Sequence, residues 1–154
     1  MLQSLDGDGA GAAAIIRVEP PEARVDERLA KAALACRPSL AQHSCKHQGF
    51  GYFGDKLLGT SLPHLVEHVA IDLLVEAARA SKAARLPVAG NTSWLDRGRG
   101  LMRVRLVSAP AAAAGAGSAA PVASVAAQGC DEVAAEAACL ALRRAVALVN
   151  DLLT

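Results

Sequence analysis

Aromatic side chains are scarce in this chain: Phe, Tyr and Trp together make up 3% of its 154 residues. A core with so few rings must be packed from Leu, Val, Ile and Ala on helices and strands, for which an apolar fraction of 53% suffices. An excess of charge of either sign is missing too, since sixteen basic residues face fifteen acidic ones. That balance excludes the broad electrostatic footprint of a nucleic-acid or anionic-membrane binder, so recognition must rest on a local site. No apolar run approaches the roughly 20 residues of a membrane span, and no charged segment leads into a long apolar stretch as in a secretory leader. The four cysteines, Cys36, Cys45, Cys130 and Cys139, include no C-x-x-C pair. These absences predict a soluble, cytoplasmic protein with reduced thiols, built as one domain of ordinary size. Neither nucleic acid nor membrane is expected as a partner, and a homo-oligomer is left open.

What is present divides the chain into recognisable pieces. Residues 1–12 are rich in Gly and small side chains and are expected to form a flexible tail ahead of a single domain over residues 13–154. A first strand is expected from Ala14 to Val18, ended by Pro20-Pro21. Asp26 then precedes a helical stretch from Glu27 to Cys36, closed by Pro38. Residues 43–60 hold four glycines and three of the four Phe, Tyr and Trp residues, which reads either as an ordered loop approaching something closely or as a plain turn segment over the core. From Ser61, a fair N-cap, Val66, Val69, Ala70, Leu73, Leu74 and Ala77 repeat at helical spacing to about Ala84. Gly90 to Gly100 reads as a turn region, and Leu101 to Val107 alternates as a half-buried strand does. Residues 109–120 are a low-complexity loop, residues 121–127 a short strand, and Asp131 to Leu153 a last helix. The fold class that follows is α/β, more narrowly α+β: a small, largely antiparallel sheet packed against helices in a single pair of layers.

The informative pattern is His64-x-x-Glu67-His68. Residues four apart on an α-helix share a face, so both imidazoles can reach one metal ion at about 2.0 to 2.1 Å, with Glu67 beside them. A carboxylate next to a metal-activated water is placed to take its proton, the chemistry of amide hydrolysis. H-x-x-E-H is the inverted order of the zincin motif H-E-x-x-H. The competing interpretation is a polar helix face on which Glu67 pairs with a histidine. A catalytic zinc takes a third protein ligand, for which Glu132 at the start of the last helix is preferred, with Glu136, His43 and Cys45 as competitors. Asp72, one turn beyond His68, is a candidate for orienting that imidazole. His43, Arg97 and Arg99 are candidate substrate-binding residues. The last two belong to the Gly90–Gly100 segment, whose mixed charges and Trp94 suit a substrate with carboxylate and guanidinium groups, or simply a solvated turn.

Pro38-Ser39-Leu40, His43-x-Cys45, Gly51-x-Phe53, Gly59-Thr60 and His64-x-x-Glu67-His68-Val69-Ala70, taken in order, resemble the N-terminal domain of cyanophycin synthetase. The likeness runs from about Leu34 and is most specific between Pro38 and Ala70. No ATP-grasp or Mur-ligase-like region follows, so only the N-terminal module is matched. The resemblance implies binding of an arginine-rich aspartate polymer and metal-dependent cleavage of it. The H-x-x-E-H helix also looks like that of pitrilysin-type zinc peptidases, which implies His64 and His68 as ligands, Glu67 as base and a distal glutamate, Glu132, completing the site. The expectation is therefore a Zn2+-dependent hydrolase of amide or isopeptide bonds acting on a peptide or cyanophycin-like polymer. The alternative is a non-catalytic module that binds a polymer or partner and retains the helix for structural reasons.

Overall fold

The structure is a computed structural model that describes residues 1–8, 11–47, 49–80, 88–108 and 127–154, with the backbone alone at 8, 108 and 127–134. Its main sheet has four antiparallel strands in the order β1-β2-β6-β5, formed by β1 (Leu2–Asp8), β2 (Gly11–Arg17), β5 (Val88–Asp96) and β6 (Leu101–Ser108). Between β2 and β5 come α1 (Glu27–Cys36), a 3-10 turn (Pro38–Gln42), a two-residue hairpin β3 (Ser44–Cys45) and β4 (Gly51–Tyr52), the short α2 (Phe53–Lys56) and α3 (Leu62–Ala80). The long α4 (Ala127–Leu153) ends the chain. This is the expected α+β arrangement of a small antiparallel sheet with helices packed on it.

Strand alternation decides which face is covered. Ala12, Ala14 and Ile16 of β2 and Met102, Val104 and Leu106 of β6 are buried, while Arg103 and Arg105 point to the other face. The α3 and α4 helices lie side by side on the apolar face, α4 over β1 and β2 and α3 over β5 and β6. Leu65, Val66, Val69, Leu142, Ala145 and Val149 fill the space between helices and sheet. The first half of α3, Leu62 to Ala70, is buried on every side: Leu65, Val66, Val69 and Ala70 belong to the core, and His64, Glu67 and His68 line a cleft. At the start of α1, the Asp26 carboxylate accepts a hydrogen bond from the Leu29 N–H at 2.7 Å, the N-cap expected of this residue.

Three expectations are corrected. Residues 2–8 are not a flexible tail but the edge strand β1, paired with β2 from Leu2↔Ile16 to Asp8↔Gly11. Its Leu2 and Leu5 pack against the core, so tertiary burial overrides a Gly-rich, weakly strand-forming sequence. The Asn91-Thr92-Ser93 segment is likewise no turn but the middle of β5, paired with β6 from Val88↔Ser108 to Asp96↔Leu101. The reversal comes later, at Arg97–Gly100, where Gly100 takes φ +65°, a conformation suited to glycine. The last helix starts at Ala127 rather than Asp131, so Ala127 is helical and not in a strand. The low-complexity loop at 109–120 and the remainder of the short strand expected at 121–127 lie outside the described residues, as does the end of the third helix beyond Ala80.

Candidate metal centre

The buried polar side chains gather in one place. Among the described residues, the polar or charged groups below the surface are Thr60, His64, Glu67, His68 and Asp72, all on α3 or the residue pair leading into it. Burying such groups is costly unless they are partnered, and a cluster of them in a cleft marks a site. The cleft, of about 1030 Å³, lies between α3, the inner face of β5 and the 43–61 segment.

Cys45 Sγ stands 3.6 Å from His64 Nε2. One donor atom from each of Cys45, His64 and His68 lies within 4.8 Å of the others, close enough for all three to hold a single metal ion. Cys45 is 4% exposed and His68 3%. The residues around them decide which ring nitrogens are available. Thr60 Oγ1 lies 2.9 Å from His64 Nδ1; with Nδ1–H donating to that hydroxyl oxygen, Nε2 keeps its lone pair toward Cys45. His43 sits between Asp72 and His68, its Nε2 at 3.2 Å from Asp72 Oδ1 and its Nδ1 at 3.4 Å from His68 Nδ1. Asp72 can only accept, so His43 donates from Nε2 and accepts at Nδ1 from His68 Nδ1–H. His68 is thereby left with a free lone pair on Nε2. Such a carboxylate–histidine chain fixes tautomer and ring orientation in metal sites. Phe53 adds a flat wall, stacked on His68 with centroids 3.7 Å apart and planes 13° from parallel.

Burial keeps the two imidazoles unprotonated. Burial, then the charges of His47 and Lys56, push the His64 imidazolium down to about 4 from its ordinary 6.5. Burial, then His64 and His43, bring His68 to about 3. Both rings are therefore neutral ligands at physiological pH. Burial raises the Glu67 carboxyl, an effect partly offset by its hydrogen bond with Thr92. Burial would also raise Asp72, but hydrogen bonds from Ser39 and Arg37 and the Arg37 charge bring it below the ordinary value; Arg37 Nε donates to Asp72 Oδ2 at 2.6 Å.

Glu67 is held from β5. The Thr92 hydroxyl donates to Glu67 Oε2, and Gly90, two residues earlier on the same strand face, lies against the Glu67 side chain: a Cβ at Gly90 would come within 2.5 Å of it. No family model, curated protein or solved structure matches the chain.

The sequence-derived residues divide accordingly. His64, Glu67 and His68 lie together in the cleft, and Cys45 supplies the third donor atom. The Glu132 side chain lies outside what is described. Its neighbour Glu136 is exposed, and no described residue of α4 lines the cleft, because α4 covers β1 and β2 on the far side of α3 from β5. His43 lines the cleft but bridges Asp72 to His68, so Asp72 reaches that imidazole through His43 rather than directly. Arg97 lines the cleft, whereas Arg99 is exposed on the β5–β6 turn away from it. Sequence reasoning missed Lys56, whose ammonium donates to the carbonyls of Cys45 (3.0 Å), His47 (2.8 Å) and Gly49 and so ties down the loop that follows Cys45.

Proposed function

We propose that the protein is a zinc-dependent hydrolase of amide or isopeptide bonds. The observation that carries this reading is the convergence of one thiol and two imidazoles on a point in an open cleft, both imidazoles being on the same helix as Glu67. Thiolate with imidazole is a donor set suited to zinc. Three protein ligands with a position left for water are the mark of a catalytic rather than structural site, and a third donor within reach favours the enzyme over a non-catalytic binding module. Zinc at this site would polarise a water molecule and lower its pKa toward about 7.

The remaining chemistry belongs to the chain. Glu67, oriented through Thr92, accepts the proton of the water as its oxygen attacks the amide carbon, and then returns the proton to the leaving nitrogen. Asp72 and His43 hold His68, and Thr60 holds His64, so the ligands do not reorganise during the reaction. The free thiols of Cys36, Cys45 and Cys139 fit a reducing, cytoplasmic setting, and no helix among the described residues is long and apolar enough to cross a membrane. Incubation with amide- and isopeptide-linked peptides, the aspartate–arginine type included, tests the reading. Glu67→Gln should keep its zinc and lose about 10²- to 10⁴-fold in rate. Equal rates for the two proteins would reject Glu67 as the base.

A further inference from the structure

Among the described residues the cleft carries more positive than negative charge. Six charged residues besides the histidines, among those described, line it: Arg24, Lys46, Arg79 and Arg97, with Glu67 and Asp72. Asp72 is ion-paired with Arg37 at 2.5 Å, and Glu67, hydrogen-bonded by the Thr92 hydroxyl, is the base of the proposed reaction. None of the four cations takes part in an ion pair among the described residues. Arg24 donates only to the neighbouring Ala23 carbonyl, while Lys46 and Arg97 rest over the rings of Phe50 and Trp94. The chain as a whole is close to neutral, so this bias is local to the cleft.

Their placement gives the ligand a length. Arg24 is bridged to Ser61, just before α3, and Arg79 lies in the last turn of that helix. Eighteen residues of helix at 1.5 Å each separate those two levels by about 27 Å. An extended peptide covers that distance in about eight residues. Lys46 follows Cys45 directly, and Arg97 stands on the β5–β6 turn; the donor cluster at His64 and His68 falls between the two ends. We propose that the cleft binds an extended acidic peptide whose carboxylates pair with Arg24, Lys46, Arg79 and Arg97 on both sides of the amide presented to Cys45, His64, His68 and Glu67. This rests on the hydrolase reading above and narrows its substrate. Among the described residues of the cleft, an arginine-bearing chain finds no carboxylate beyond the reacting Glu67 and the Arg37-paired Asp72, so a bare polyaspartate or polyglutamate segment is preferred over an arginine-substituted one. A nucleic acid shares the negative charge, but a thiolate–imidazole donor set suits amide hydrolysis better than phosphoryl transfer, which uses hard cations held by carboxylates.

Binding can be read without turnover, on zinc-loaded Glu67→Gln protein, by fluorescence anisotropy of labelled octamers: all-Asp, alternating Asp-Arg, and neutral Ser-Gln. The all-Asp peptide should bind at least tenfold more tightly than either other peptide and lose that advantage in 0.5 M salt. Arg24→Ala and Arg79→Ala should each weaken it about three- to tenfold, while Lys31→Ala, on the surface of α1 outside the cleft, should leave it unchanged. Both cleft arginines are exposed, and unaltered melting curves would confirm that the variants fold. Equal affinity for the acidic and neutral octamers, tighter binding of the Asp-Arg octamer, or displacement of the all-Asp peptide by an octadeoxynucleotide at equimolar concentration would overturn the proposal. If wild-type protein cleaves the neutral octamer but does not bind the acidic one, only the substrate assignment falls. If the acidic octamer binds as described and no peptide is cleaved, the hydrolase reading falls and the ligand class stands.

Discussion

Gly90→Ala isolates the contact that holds Glu67. The new Cβ would lie 2.5 Å from Glu67 Cγ and Oε1 and 2.7 Å from Cδ. Reaching ordinary van der Waals separation requires the carboxylate to retreat by about 1 Å, which draws it away from the Thr92 hydroxyl. Overpacking of this kind costs about 1–3 kcal/mol. Against it stands a gain of about 0.4–1 kcal/mol from the reduced freedom of the unfolded chain, since the backbone at Gly90 is ordinary strand with no positive φ. The substitution should therefore destabilise the wild-type background. Once Glu67→Ala has removed the side chain that the Cβ meets, Gly90→Ala should become neutral or stabilising. Urea unfolding of the metal-free wild type, both single variants and the double variant gives the coupling directly, with about 1–3 kcal/mol expected. No substrate is needed. A Gly90→Ala cost that is the same in both backgrounds would refute the claim that Gly90 makes room for Glu67.

Two further outcomes follow from the site. His43→Leu removes the acceptor of the His68 Nδ1–H and should weaken zinc binding about 10- to 100-fold in competition with a chromophoric chelator; unchanged affinity would reject the Asp72–His43–His68 chain. Metal-free protein should lose stability as pH falls from 7.5 to 5. His64 and His68 have folded pKa values of about 4 and 3, below the unfolded value near 6.5, so the unfolded chain binds more protons throughout that range. The loss should reach about 2 kcal/mol for each histidine, and His68→Gln should remove one share of it in urea titrations at the two pH values. A pH dependence identical in wild type and His68→Gln would contradict the burial assigned to that ring.

Much of this was legible in the sequence, for reasons that residues make concrete. The i, i+4 spacing of His64 and His68 with Glu67 between them fixes their common helix face whatever the rest of the fold does. The Arg103 and Arg105 alternation marked β6 in the same way. The third donor was less accessible. Glu132 and Cys45 were both chemically competent, and choosing between them requires knowing that α4 packs over β1 and β2 while the β3–β4 hairpin folds back onto α3. Long-range packing of that kind leaves no local trace. β1 was hidden because Gly7, Asp8 and Gly9 read as a loose tail, and its pairing with β2 outweighs that weak local preference. The start of β5 reads as a turn in the sequence because Gly90 and Asn91 are turn residues elsewhere. Here the glycine serves close approach to Glu67 instead. The role of His43 depends on which nitrogen faces which neighbour, information that exists only in three dimensions.

The most direct test of the central claim is the zinc content of protein purified without chelator, measured side by side for wild type, Cys45→Ala, His68→Ala and Glu132→Gln. With Cys45, His64 and His68 as ligands, wild type and Glu132→Gln should each hold close to one zinc ion per chain, and Cys45→Ala and His68→Ala less than a tenth of that. Full zinc in Cys45→Ala, or its loss from Glu132→Gln, would contradict the ligand set on which the account stands.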